Sequence, residues 1–265
     1  MMSARISTLA SLRGHIERME TATSGGASHR VALGHAEADS ALRGGLAAAS
    51  VHEVFALGHQ SAAATGFVTG LAARVSARRP LVWVRQDFCD LEAGTLSMRG
   101  LAELGLDPRY LVTVRAADIE SALRTAADAL ACDALGAVVL EVWGDAHQLD
   151  LVTSRKLTLT AHASGATCLL LRIAASPLPS TAETRWIVRA AHSPPQAQWS
   201  GPVWGAPRFD AELVRNRHGP TGRWIMEWKC DECLFSKAAD SQPMAATPAH
   251  RPHQAGAFAE RRRAG

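Results

Sequence analysis

Apolar and polar positions change period several times along this chain, and each change marks an element. Between residues 5 and 20, Ile6, Leu9, Leu12, Ile16 and Met19 fall close to one helical stripe, while Arg13, Glu17 and Arg18 lie off it. That spacing predicts an amphipathic helix, broken by Ser24, Gly25 and Gly26. Val51, Glu53, Val54 and Phe55 form a short β-prone run, and Phe67, Val68, Leu71 and Ala72 follow at helical spacing within 66–75. Residues 80–84 read as a buried strand, with Arg85, Gln86 and Asp87 at its carboxyl end. A helix over 98–105 and a strand over 110–114 come next. Asp118 is placed to cap a helix in which Ile119, Ala122, Leu123, Ala126, Ala127 and Leu130 share one face. Residues 137–143 are a continuous apolar strand with one acid, Glu141. A helix over 148–162 stops at Gly165, and 167–173 is a further buried strand.

Strands that alternate with helices, in near-continuous apolar runs, predict an α/β fold with a mostly parallel sheet covered on both faces. After this core the pattern changes. Residues 185–191 read as a strand, and 193–207 are rich in Pro, Gly and Trp. Residues 212–217 and 223–228 flank a turn over 218–222, a β-hairpin whose second strand puts Trp224, Met226 and Trp228 on one side. The expected organisation is therefore an N-terminal helix and linker over 1–26, a core domain over 45–235, and a disordered basic tail over 236–265, rich in Ala, Pro, His and Arg.

Composition narrows the class. The chain has 265 residues, 47% of them apolar, enough for a sizeable core. Part of the +3 formal charge sits in the consecutive Arg261, Arg262 and Arg263, so a global nucleic-acid footprint is weak. No stretch approaches the ~20 apolar residues of a membrane span, and no apolar segment with a cleavage site opens the chain. Five cysteines in a chain of this size fit a reduced, cytoplasmic protein.

The candidate chemistry centres on residues 58–65, Gly-His-Gln-Ser-Ala-Ala-Ala-Thr. They keep the frame of a phosphate-binding loop, G-x-x-x-x-G-K-[ST], in which backbone amides cradle phosphates, a lysine reaches the β/γ-phosphates and a hydroxyl holds Mg²⁺. Gly58 and Thr65 stand at the first glycine and the hydroxyl; Ser61 lies inside the frame; Ala63 replaces the second glycine and Ala64 the lysine. The loss of that cation predicts a nucleotide-binding fold that no longer hydrolyses nucleotide. Glu141 has two readings, a carboxylate that orients Mg²⁺ or an acid solvated at a strand end. Asp87 reads as an exposed loop residue. Arg215 and Arg217, as alternate residues of one strand, project together to grip a phosphate or carboxylate, or else form a solvated face. Cys230 and Cys233 make one C-x-x-C, short of the four ligands of a structural zinc. No G-x-S-x-G elbow is present, and no hydrolase is indicated.

Together these blocks resemble the ImuA family, RecA-related proteins of inducible mutagenesis. The resemblance is carried by 51–55 leading into Gly58, Thr65, Gly66 and Phe67; by 81–86; by 100–108; by 137–141; and most specifically by Leu213-Val-Arg-Asn-Arg-His-Gly-Pro-Thr-Gly-Arg-Trp224 with Glu227 and Trp228. It covers roughly residues 45–230. It implies a RecA-like core, induction with the bacterial DNA-damage (SOS) response, and work beside a Y-family-like partner, ImuB, and an error-prone DnaE-type polymerase in translesion synthesis. RecA and, through partners, DNA are further implied contacts. The related proteins carry a Lys-Asn-Lys on the equivalent hairpin that reaches nucleotide on the adjacent subunit, and Arg215-Asn216-Arg217 matches it. The departures are Ala64 for the lysine, Glu141 for the usual Asp, and a short segment between Glu141 and 167–173, where RecA carries a DNA-binding loop. The expectation is a non-catalytic accessory protein that uses no cofactor, with a SulA-like division inhibitor, or a residual ATPase or RecA-filament modulator, as the alternatives.

Overall fold

The computed structural model describes residues 29–238 except Trp199, Ser200 and Trp204. The helix expected over 5–20 and the tail from residue 239 onward lie outside the described residues.

In chain order the elements are β1 (Arg30–Val31), α1 (Ala36–Ala41), β2 (Leu46–Ala47), β3 (Val51–Ala56), α2 (Ser61–Ser76), β4 (Leu81–Gln86), α3 (Asp87–Ala93), α4 (Met98–Glu103), β5 (Leu111–Ala116), α5 (Ile119–Leu130), β6 (Ala137–Trp143), α6 (Leu151–Ser164), β7 (Thr167–Ile173), β8 (Thr184–Ala190), β9 (Gln196–Gln198), β10 (Gly201–Val203), β11 (Arg208–Asn216), β12 (Gly222–Lys229) and β13 (Leu234–Lys237). The main sheet has nine strands in the order β13-β12-β11-β8-β3-β7-β6-β4-β5. Strands β5 to β8 of that order run parallel. Strands β11, β12 and β13 continue it antiparallel. The fold is α/β, as the alternation of periods predicts.

Each face of the sheet buries a separate cluster, because side chains alternate across a strand. On one face Val54, Trp83, Val139, Leu171, Trp186, Met226 and Trp228 pack with Phe67, Val68 and Leu71 of α2. On the other, Val82, Val84, Val138, Leu140 and Leu170 meet Ala122, Ala126 and Leu130 of α5 and Leu157 and Ala161 of α6. Asp118 caps α5 by accepting from the Ser121 amide, and Asp150 caps α6 by accepting from Thr153. Gly165, at φ 79°, ends α6 in the left-handed conformation that suits glycine.

The aromatic residues weld α2 to the antiparallel strands. Phe67 lies 5.6 Å from Trp186 and 5.2 Å from Phe235, and Trp228 meets Phe235 edge-on at 4.7 Å, ring centre to ring centre. A Cβ on Gly70 would fall 2.7 Å from the Phe235 ring, so α2 approaches this closely only with glycine there.

Three features depart from the sequence reading. Asp87 opens helix α3 rather than a loop. Ser236 and Lys237 belong to β13, whose Phe235 is buried and donates its amide to the Leu33 carbonyl at 2.9 Å, so order extends past residue 235. The packed core also begins before residue 45, since Leu33, Ala38 and Leu42 are buried in it. Short segments with one or two buried side chains carry too little periodicity to be read alone.

One buried polar chain ties β3 to β8. The Trp186 indole N–H donates to Thr184 Oγ1 at 3.0 Å, Thr184 Oγ1 lies 2.8 Å from His52 Nδ1, and His52 Nε2 lies 2.7 Å from the Ala47 carbonyl. A neutral His52 with its proton on Nε2 satisfies every link. Burial pushes its pKa down to about 4, against the backbone hydrogen bond to Ala47, which raises it. The folded pKa is thus below the unfolded value near 6.5, so this stability is present above pH 6.5 and is lost as pH falls from about 6.5 to about 4. The loss amounts to about 3 kcal/mol. Urea titrations at pH 7.5 and 4.5 are expected to differ by about that amount, and His52→Gln should flatten the difference; an unchanged pH profile would contradict the assignment.

Candidate functional site

The chain leaves β3, makes a single 3₁₀ turn over Gly58–Gln60, and enters α2 at Ser61. Ser61, Ala63, Ala64 and Thr65 therefore do not form the expected loop; they occupy the first turns of a helix. The cause is local. Ala62, Ala63 and Ala64 have the highest helix propensity, and Ala63 removes the glycine that would let the backbone bend around a phosphate. Ala64 is 0% exposed, within the α2 core cluster. Thr65 is half-buried, and its carbonyl accepts from Thr69 Oγ1 at 2.7 Å. Gly58 lies under Trp143, the last residue of β6: a Cβ on Gly58 would sit 3.3 Å from that indole. Gln60 reaches across to accept from the Ala190 amide at 2.7 Å. These residues do not fit a triphosphate, for an indole covers the first glycine and an alanine methyl faces the core where an ammonium would be needed.

Glu141 is not at a solvated strand end. It is the fifth residue of β6, with a side chain 1% exposed. Its Oε2 accepts from the Trp83 indole at 2.9 Å and from Arg85 Nε at 2.9 Å, both on the adjacent strand β4. Arg85 also pairs with Asp90 of α3 and donates to the Gly94 carbonyl at 2.7 Å. Burial pushes the Glu141 carboxyl above its usual value, while Arg85 and the Trp83 hydrogen bond pull the other way. Burial, and then the Glu141 charge, push the neighbouring Cys89 thiol up to about 12. A guanidinium thus neutralises the acid that a Mg²⁺ site would keep available.

Arg215 and Arg217 also differ from expectation. A bulge between Leu213 and Arg215 interrupts the register of β11 with β8, and β11 ends at Asn216. Arg215 lies within β11 and Arg217 just past its end. Arg215 turns inward and donates to the Ser180 carbonyl at 2.7 Å. Arg217 follows the strand end and is exposed, with its amide donating to the Glu183 carbonyl at 3.0 Å. Asn216 pairs with Thr184, and Thr184 with His52 near the start of β3. This end lies the length of β3, about 17 Å, from Gly58, so the arginines and the degenerate loop do not converge within one chain.

The carboxyl ends of the parallel strands are rich in acid. Asp87, Asp90 and Glu92 follow β4, Asp118 follows β5, and Asp145 and Asp150 follow β6. Open α/β sheets bind ligands at this end; here Asp87 and Asp90 pair with Arg115, Asp90 also with Arg85, and Asp118 and Asp150 cap helices. Cys230 and Cys233 close the turn between β12 and β13, with Cys233 Sγ 3.4 Å from the Cys230 carbonyl. Among the described residues no group of three or more His, Cys, Asp or Glu could hold a metal ion, and no helix is long and apolar enough to cross a membrane. A groove of about 300 Å³ between α5 and α6, lined by Leu123, Ala127 and Leu157, contains none of the expected site residues.

No family model matches the chain. Two relatives, each called Protein ImuA, come from Caulobacter vibrioides strains NA1000 / CB15N and ATCC 19089 / CIP 103742 / CB 15. Each is 31% identical over 199 residues, which cover 69% of this chain and 77% of the relative. The chain belongs to the ImuA family. The resemblance drawn from the blocks between residues 45 and 230 therefore holds at family level. In this ImuA-family chain, two residues at the degenerate site escaped sequence reasoning. Arg85 carried a usable signal, because one cation in the apolar run 81–86 and one acid in 137–143 must pair if both strands are buried. Trp143 carried none, since nothing in sequence brings the end of β6 over Gly58.

Proposed function

We propose that this ImuA-family protein is a non-catalytic accessory subunit of damage-inducible, error-prone translesion synthesis. It acts through protein contacts with an ImuB-like Y-family partner and a DnaE-type polymerase, on a RecA-like core that has given up nucleotide chemistry. The observation that carries this is the pairing of Glu141 with Arg85, together with a buried Ala64 where the lysine would stand, since both charges needed around a Mg²⁺–triphosphate are neutralised or absent. Transition-state charge stabilisation is the larger part of phosphoryl-transfer catalysis, so the loss of both leaves a scaffold rather than a slow enzyme. A cytoplasmic location follows from the role.

The test is co-purification from damage-treated cells with a tag on this chain. The ImuB-like protein and the DnaE-type polymerase are expected in the eluate, and deletion of either gene should lower damage-induced mutation as much as deletion of this one. Recovery of neither partner, with unchanged mutation frequency, would contradict the proposal.

A further inference from the structure

The nine-stranded sheet has two edges, and the described chain treats them differently. At one edge β13 is covered: Phe235 donates its amide to the Leu33 carbonyl at 2.9 Å, and a Cβ on Gly34 would sit 2.6 Å from the Phe235 carbonyl oxygen. At the other edge β5 pairs with β4 from Leu111 to Ala116 without a register shift. Among the described residues no strand pairs with its outer side.

Open edges are usually blunted by proline, lysine, a bulge or a covering segment. β5 reads Leu-Val-Thr-Val-Arg-Ala and carries none of the first three. Its consecutive β-branched residues Val112, Thr113 and Val114 favour the extended backbone. Val112 is 53% exposed and Tyr110 44%, and Thr113 and Arg115 are exposed too. Val112 is in register with Val82, which packs on α5, yet that helix leaves Val112 largely uncovered. Arg115 is the one charge on the strand, and its own chain holds it, 3.0 Å from Asp87 and 3.3 Å from Asp90.

We infer that β5 is a self-association edge: it pairs antiparallel with β5 of a second copy of this chain, about a two-fold axis at Thr113. A two-fold interface requires a surface complementary to itself, and the sequence of β5 meets that requirement. In this register Thr113 faces Thr113 of the second copy, Val112 faces Val114, and Leu111 faces Arg115. Thr–Thr and β-branched pairs opposite one another stabilise a sheet, and like charges opposite one another destabilise it; here Arg115 meets an apolar side chain. The pairing joins two sheets into one and satisfies the backbone groups that the outer side of β5 presents. It goes beyond the scaffold reading, because it concerns copies of this chain and holds or fails independently of any polymerase partner.

Analytical ultracentrifugation of the full-length protein tests this. One strand pair is a small interface, so a monomer–dimer equilibrium with a dissociation constant of about 10 µM is expected, followed up to about 100 µM. Val112→Lys puts a charge on the edge at an exposed position and should raise that constant at least ~10-fold, with the urea midpoint of the monomer nearly unchanged. The register has its own test. In a Cys132→Ser background, Thr113→Cys should cross-link two copies when treated with oxidised glutathione, because residues directly opposite lie within the Cα range of a disulfide. Val112→Cys should not, since the two copies of residue 112 are about 8 Å apart in this register. A protein that stays monomeric at the highest concentration would overturn the inference, whether the edge is bare or another segment of the chain takes it. So would a dimer that Val112→Lys leaves intact, or cross-linking through Val112→Cys but not through Thr113→Cys.

Discussion

Arg85→Ala is expected to destabilise the protein by about 3–5 kcal/mol, the largest loss of any single polar substitution proposed for it. Removing one partner of a buried pair leaves an uncompensated buried charge, and that accounts for the magnitude. Glu141 cannot reach water, with its side chain 1% exposed, and only the Trp83 indole would still donate to it. At about 2–4 °C per kcal/mol for a domain of this size, the melting temperature should fall by roughly 10 °C. The second half of the cycle separates charge from packing. Arg85→Met combined with Glu141→Leu removes both charges at similar volume and should recover most of the loss, because a buried ion pair replaced by apolar groups is often neutral or stabilising. Asp90, itself paired with Arg115 at 3.3 Å, would still be held after Arg85 is gone. Recovery in the double variant identifies the pair as a neutralising device. If Arg85→Ala is stable while Glu141→Ala is not, the acid has a role of its own, and the comparison with a silenced metal site fails.

Ala64→Lys is the second large effect. Restoring the missing residue of the phosphate-loop frame would ordinarily be the way to recover activity. Here it should unfold or strongly destabilise the domain instead. Position 64 is 0% exposed and sits among the α2 core residues, so a lysine must bury its ammonium or push α2 off the sheet, either of which costs several kcal/mol. Exposed Ala62, two residues earlier on the same helix, is the control: Ala62→Lys adds the same charge and should leave the urea midpoint nearly unchanged. A folded Ala64→Lys protein that binds ATP would mean that the helix start can rearrange into a loop.

The fold was largely legible in sequence because its strands are apolar runs of five to seven residues and its longer helices keep one face apolar, as Ala122, Ala126 and Leu130 do. What escaped was short or non-local. Helix α3 has a single buried residue, Cys89, and β13 lies beside a charged turn. The candidate site was legible in its losses and not in its replacements. Ala63 and Ala64 announce the missing glycine and lysine, but the helical start at Ser61 comes from propensity winning once the glycine is gone. Arg215 and Arg217 read as one strand pair in sequence, but β11 ends at Asn216, and Arg215 donates to the Ser180 carbonyl while Arg217 lies past the strand.

Isothermal titration of the folded wild-type protein with ATP and Mg²⁺, followed by a phosphate-release assay on the same sample, tests the central claim most directly. The account predicts no resolved binding and no release above buffer. Micromolar binding with turnover that Arg85→Ala or Glu141→Ala abolishes would contradict it.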